Sequence, residues 1–363
     1  MHLLQPREYP SRLMKWLSPV LAIVFTLLVG MILFRFLGYA PLKTLYIFFI
    51  EPLTTMYGWS ELVVKASPLI LIALGLSIGF RAKLFNIGAE GQLTMGAIFG
   101  GGVAILCYGH EGAWTLPLML MMGALGGAVW GAIPALLKTA FNAEETLTTL
   151  MLNYVAGFIL LYLINGPWRD PNGMNFPQSV MFSDQSLLPL ITETTRINAS
   201  VFLTLLLVIV FWIFVKKSMQ VFQLEVSGQA AAAAQYAGFS AKKTVWFSLI
   251  LSGLMAGLAG ICEVAGPIGQ LNPNLSPGYG YAAIIVAYLG RLNPIGIVLS
   301  AFLMALIYLG GEMAQMQLQL PVAIAGVFQG LLLMFLLAAD AFIENKYRFL
   351  KKKTKPTVLA TQG

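Results

Sequence analysis

Apolar residues in this chain gather in long runs separated by short polar segments, rather than alternating or keeping to one helical face. A helix needs about 20 mostly apolar residues to cross the hydrocarbon core. On that basis the runs predict ten spans, at 16–36, 63–80, 84–107, 114–137, 146–164, 200–215, 244–265, 279–289, 294–309 and 322–339. The eighth is too short to cross as a regular helix. It is expected to be a broken or tilted element that completes its crossing with the residues before it. The fold class expected is all-α, a polytopic membrane protein of about ten transmembrane helices.

Composition agrees with this and removes the soluble alternatives. Hydrophobic residues make up 58% of the 363 residues and charged residues 10%, against roughly 25% charged in soluble domains. The net charge of +7 comes with no aromatic-and-basic platform, so no nucleic-acid partner is expected. With the N-terminus inside, 17 of the 22 Lys and Arg fall on the cytoplasmic side, leaving Arg35, Lys43, Lys65, Arg169 and Arg196 outside. That asymmetry predicts both termini cytoplasmic. No small-residue cleavage site follows 16–36, so this run is expected to stay as a first span. One transmembrane domain is expected over 1–345, with an external loop at 166–199 and a long cytoplasmic connection at 216–243. A basic cytoplasmic tail at 346–363 would meet anionic lipid or a partner. In the connection, Ser227 reads as the N-cap of a short helix through the alanine run, and Gly238 as its end.

Candidate chemistry is sparse. Cys107 and Cys262 suggest neither a disulfide framework nor a metal site. Gly96 and Gly100, Gly123, Gly127 and Gly131, and Gly253 and Gly257 recur at helical spacing, which lets helix backbones approach closely in lipid. Ionisable groups inside spans are costly to bury and therefore informative. Glu90 is placed about two turns into the third span, four residues after Asn86 and on the same helix face. Glu263 lies near the outer end of the seventh, and Asn153 and Tyr154 in the fifth. Each either lines a solute path or holds neighbouring helices together; Glu90 and Glu263 could also relay protons in a gradient-driven transporter. Asn272-Pro273-Asn274 and Ser276-Pro277-Gly278-Tyr279-Gly280 cannot form a regular helix, and broken helices point to a solute pathway or to an outer loop. There is no G-x-x-x-x-G-K-[S/T] loop, no H-E-x-x-H site and no pair of aspartates for Mg²⁺ chemistry. The chain is thus not itself an ATPase of the usual kind, and an intramembrane enzyme is disfavoured.

Several segments resemble one family. Residues 80–92, F-R-A-K-L-F-N-I-G-A-E-G-Q, are similar to the F-R-A-G-L-F-N-I-G-A-E-G-Q stretch of bacterial permeases in the nucleoside and simple-sugar branch of ATP-binding-cassette (ABC) importers. This branch belongs to the branched-chain amino acid and ribose-type permease superfamily. Thr149-Leu150-Met151-Leu152-Asn153-Tyr154 resembles its T-I-M-L-N-Y. Residues 278–284 and 289–294 resemble its G-Y-G-F-x-A-I and L-G-R-x-x-P. The resemblance runs over roughly 62–336, and it implies an importer permease working by alternating access. A separate cytoplasmic ATPase would bind ATP and Mg, with no cofactor in this chain. A second homologous permease would complete a heterodimeric pore, and an extracytoplasmic binding protein would deliver solute. Location in the bacterial inner membrane is implied. The solute implied is small and polar, a nucleoside or purine-related compound, with riboflavin or a simple sugar as the alternative. Asn86, Glu90, Asn153, Tyr154, Glu263 and Tyr281 are the candidate pathway residues. Gly228, Ala233, Ala234, Tyr236, Ala237 and Gly238 agree with the family's ATPase-docking segment. Ala230 and Ala231 replace its Asn-Pro, Gln235 its Arg and Phe239 its Ile.

Overall fold

The long apolar runs fold as helices because a chain in hydrocarbon must satisfy its backbone within each segment. The computed structural model describes residues 4–6, 12–110, 112–192, 194–321 and 323–347. Arg7, Val322 and the basic tail from Arg348 onward lie outside them. The helices are α1 (Arg12–Phe36), α2 (Pro41–Leu45), α3 (Met56–Arg81), α4 (Ala89–Leu106), α5 (Thr115–Phe141), α6 (Glu145–Asn165) and α7 (Ser200–Lys217). They continue with α8 (Met219–Gln229), α9 (Ala231–Tyr236), α10 (Ala241–Glu263), α11 (Tyr279–Leu289), α12 (Pro294–Leu318) and α13 (Ala323–Glu344). Eight of these contain a stretch long and apolar enough to cross a membrane. Two of the ten expected spans fall outside that set: α4, whose opening turns carry Glu90 and Gln92, and α11, which has only 11 residues.

Two compact units divide the chain, 1–41 with 330–363, and 42–329. In the first, the rings of Phe25 on α1 and Phe335 on α13 lie 5.7 Å apart, and the Ser18 hydroxyl hydrogen-bonds to the Asp340 carboxylate. A short antiparallel ladder, which hydropathy does not foresee, pairs β1 (Leu4–Pro6) with β2 (Asn345–Tyr347).

In the second unit α3 is the central element. From Ala66 on it is apolar on nearly every side, and it is buried from Ser60 to Phe80 apart from Val63 and Lys65, as expected of a helix with no long polar stripe. Thr55 caps it by accepting from the Gly58 amide at 3.0 Å. Beside it α4, α5 and α10 pack backbone against backbone, as the glycine spacing predicts. A Cβ on Gly96 would fall on the Gly257 backbone, and one on Gly127 on the Gly253 carbonyl and the Gly257 backbone. The outer face of α7 instead shows Phe202, Leu205, Leu206, Ile209 and Ile213, a surface suited to lipid. The 166–199 segment is irregular, as expected. It hydrogen-bonds to the chain just beyond α10, Leu188 N to Ala265 O at 2.8 Å and Ser179 N to Leu271 O at 2.9 Å.

Candidate functional site

Three of the sequence motifs meet at one place, where α4 and α11 both begin. Helix α3 ends at Arg81, and the chain runs irregularly from 82 to 88 before α4 starts at Ala89. Two expectations are corrected here. Asn86 is not on a helix, so it shares no helix face with Glu90, and Glu90 sits in the first turn of α4 rather than two turns in. The reason is local. The Asn86 Oδ1 accepts from the Gly88 amide at 2.9 Å, a side-chain bond that competes with helix formation. Its Nδ2 donates to Gln92 Oε1 at 2.9 Å and to Ser252 Oγ at 2.8 Å. Asn86 is 2% exposed, and its amide is spent on tying 82–88 to α4 and α10.

Asn153 on α6 is the second anchor. Its Oδ1 accepts from the Gly91 amide at 2.8 Å. Its Nδ2 donates to the Ile87 carbonyl at 2.9 Å and to the Tyr281 hydroxyl at 3.0 Å. One turn earlier, Thr149 accepts from the Ile87 amide at 3.2 Å. Glu90 is held by the third motif. Its Oε2 accepts from the Gly280 amide at 2.7 Å, and Ser276 hydrogen-bonds to the same carboxyl group. The carboxylate therefore caps the start of α11, where exposed N–H groups and the helix dipole favour negative charge. Gly280 is required by this approach: a Cβ there would meet the Glu90 Cα at 2.6 Å.

Around this junction lies a cleft of about 320 Å³, lined by Glu90, Asn153, Tyr154, Phe158, Ser276 and Tyr281 among others. That volume is at the lower end of small-molecule sites, which run from about 300 to 1,000 Å³. Tyr154 and Phe158 are 58% and 69% exposed and Tyr281 40%, so aromatic surface and two phenols flank a fixed carboxylate. This can hold a small flat or polyhydroxylated solute by stacking and hydrogen bonding. Four of the six candidate pathway residues are thus brought together: Glu90, Asn153, Tyr154 and Tyr281. Sequence reading missed Ser276 as a ligand of Glu90, although the Ser-Pro-Gly-Tyr-Gly break was its signal. Phe158 carried no signal beyond its place one turn after Tyr154.

Glu263 is elsewhere, at the C-terminus of α10, with Lys65, Arg196 and Glu61 as its charged neighbours. Lys65 pairs with Glu312 at 2.8 Å. Arg196 grips Glu61 with two nitrogens, Nε to Oε1 at 2.9 Å and Nη2 to Oε2. The Glu61 bond raises the proton affinity of the guanidinium above its ordinary value against the opposing effect of burial. These pairs fasten α12 and the 166–199 segment to α3.

The connection between α7 and α10 holds two helices where one was expected. Ser227 does not cap the alanine helix; it lies inside α8, and Ala230 (φ −144°) precedes α9. Val221 and Leu224 are buried beneath α8, and this amphipathic spacing was its signal. Gly228 rests on the end of α3, where a Cβ would meet the Arg81 carbonyl at 2.6 Å. On α9, Ala234 is buried while Ala233, Tyr236, Ala237 and Gly238 face outward, Tyr236 at 97% exposure. Gly238 ends the helix at φ +80°. The Phe239 amide returns to Ala234 O at 2.9 Å and the Gly238 amide to Gln235 O at 3.0 Å, a Schellman closure.

Comparison with known proteins bears on what this assembly is. A family profile described as branched-chain amino acid transport system / permease component matches residues 58–337. The glucose ABC transporter permease protein TsgB13 of Haloferax volcanii is 34% identical, over 95% of this chain and 92% of its own. The guanosine ABC transporter permease protein NupP of Bacillus subtilis is 31% identical, over 94% and 99%. The nucleoside ABC transporter permease protein NupB of Lactococcus lactis is 29% identical, over 82% and 84%. With the profile spanning most of its length and eight helices among the described residues fit to cross a membrane, the chain belongs to the branched-chain amino acid transport system permease component family, as a multi-pass plasma-membrane transport subunit and not an enzyme.

Proposed function

We propose that this chain is the permease subunit of an ABC importer that moves a nucleoside or purine-related compound by alternating access. The observation that carries the reading is the cleft in which three family motifs converge, with the Glu90 carboxylate, the Tyr281 phenol and the Tyr154 and Phe158 rings around one space. A nucleoside offers a flat base for the rings and a ribose diol whose hydroxyls donate to a carboxylate. Helix α4, and α11 with the irregular chain before it, complete ten crossings with both termini cytoplasmic. That topology is supported by the charge asymmetry.

The exposed face of α9 docks on a cytoplasmic ATPase, which binds ATP and Mg. Nucleotide shifts the bundle between inward- and outward-facing states by binding one state more tightly than the other. A second homologous permease faces the cleft from the side of α6, where Met151, Tyr154, Val155, Phe158 and Tyr162 stand exposed. A solute-binding protein meets the 166–199 segment from outside. A sugar is the second reading for the solute, favoured by the identity to the glucose permease protein.

The test is uptake of labelled guanosine and labelled glucose by cells that carry or lack this chain, with and without ATP depletion. ATP-dependent uptake of guanosine that glucose does not compete supports the nucleoside reading. Glucose uptake alone moves the substrate to sugars, and uptake that follows the proton gradient without ATP removes the importer reading.

A further inference from the structure

Resting on the docking role proposed for α9, we propose that Arg81 is the joint through which movement of the ATPase-docking segment reaches the start of α11 at the cleft. Arg81 is the last residue of α3, and its guanidinium holds two elements at once. It is ion-paired with Glu225 of α8. It also donates from Nη2 to the Leu292 carbonyl at 2.7 Å, in the turn that follows α11. The planar fork of arginine suits two acceptors in fixed directions, which a lysine ammonium does not replace. The Arg81 side chain is 14% exposed, so losing one partner strands a shielded charge.

Both neighbours are stiff. Helix α8 lies on the Arg81–Ala82 backbone through Gly228, with no side chain between to absorb motion. In the turn, Arg291 and Leu292 both hold left-handed φ, +57° and +54°, which fixes the direction of the carbonyl that Arg81 grips. One residue before Arg81, the ring of Phe80 stacks on Tyr288 of α11, 4.9 Å between centroids and 24° between planes. From there α11 is a rod of 11 residues, about 16 Å long at 1.5 Å per residue, and its far end is the Gly280 amide on Glu90. The chain of contacts runs from α9 through α8, Glu225, Arg81, Leu292 and α11 to a residue lining the cleft. Arg81 is a positioning residue in it and touches no solute.

Hydrogen exchange, read by mass spectrometry on the full chain in lipid nanodiscs, tests this without knowledge of the solute. Glu225→Gln and Arg81→Gln are each expected to speed exchange in 279–283 by about tenfold, the scale of mutational effects along a coupling route. The double variant is expected to go no faster than either single one, as for residues acting in one path. Arg81→Lys, which keeps the charge but not the fork, falls between wild type and Arg81→Gln. Exchange in α5 stays at the wild-type rate and reports an intact fold; Glu225, on the more exposed side of the pair, is the substitution the fold tolerates better. A change confined to 219–229, or one that adds in the double variant, overturns the relay. Guanosine uptake in the same variants separates the two levels. If wild-type uptake needs ATP and Glu225→Gln leaves it unchanged, the relay falls and the importer reading stands. If wild-type uptake needs no ATP, the docking role itself falls, and the relay with it.

Discussion

Asn153 and Tyr154 are adjacent on α6 yet face opposite surroundings, and this separates their predicted effects. The Asn153 side chain satisfies the Gly91 amide and the Ile87 carbonyl in a buried junction. Asn153→Ala is therefore expected to cost about 3 kcal/mol, since each stranded backbone group costs about 1–3 kcal/mol. A fall in the apparent melting temperature of the detergent-solubilised chain would show it. Tyr154 is 58% exposed into the cleft. Tyr154→Ala is expected to leave melting unchanged and raise the apparent KM for guanosine about fivefold, for loss of a stacking contact worth about 1 kcal/mol; an unchanged KM would remove Tyr154 from the solute path. The sequence exposed these residues as polar groups in apolar surroundings, but not that one is buried and the other open to the cleft. For Glu90 and Asn86 it misjudged depth, because Leu84, Phe85 and Ile87 keep the run apolar through the break. Hydropathy measures transfer into lipid, whereas the break comes from an Asn side chain bonding its own backbone. Glu263 was legible as a costly charge, but its neighbours come from 61, 65 and 196, and no local pattern announces such distant partners.

Elements were read more faithfully than residues. The expected runs became helices, most with ends displaced by a few residues, although α3 begins seven residues before 63 and α12 runs nine beyond 309, because length and apolarity dominate the signal of a helix in hydrocarbon. Helix α8 was overlooked in favour of the alanine run, although Val221 and Leu224 carried its buried face. The glycine spacing on α4, α5 and α10 foretold their contact, and it yields a contrast within one residue type. Gly257→Val would drive a side chain into the Gly123 carbonyl and the Gly127 backbone, an overpacking that backbone cannot relieve cheaply. It is expected to abolish the monodisperse peak in size-exclusion chromatography. Gly157→Ala on α6 meets nothing within 4 Å and is expected to elute and melt like wild type, or slightly above it, from the better helix propensity of alanine.

For the whole molecule, the docking role proposed for the outward face of α9 can be tested directly. Replacing Ala233 and Tyr236 together by Glu is expected to abolish ATP-dependent uptake and the ATPase activity that co-purifies with the tagged chain. The melting temperature should hold, because both side chains face outward. Retained uptake would show that energy enters by another route. The trio of α4, α5 and α10 also constrains how such a machine can move. Helices that touch through glycine backbone have no intervening side chains to change rotamer, and close-packed interfaces switch between discrete arrangements rather than bending. These three helices should consequently travel as one plate through the transport cycle, and spin labels on α5 and α10 should keep the same separation in every nucleotide state. The changes in distance would then fall between this plate and the elements packed around it.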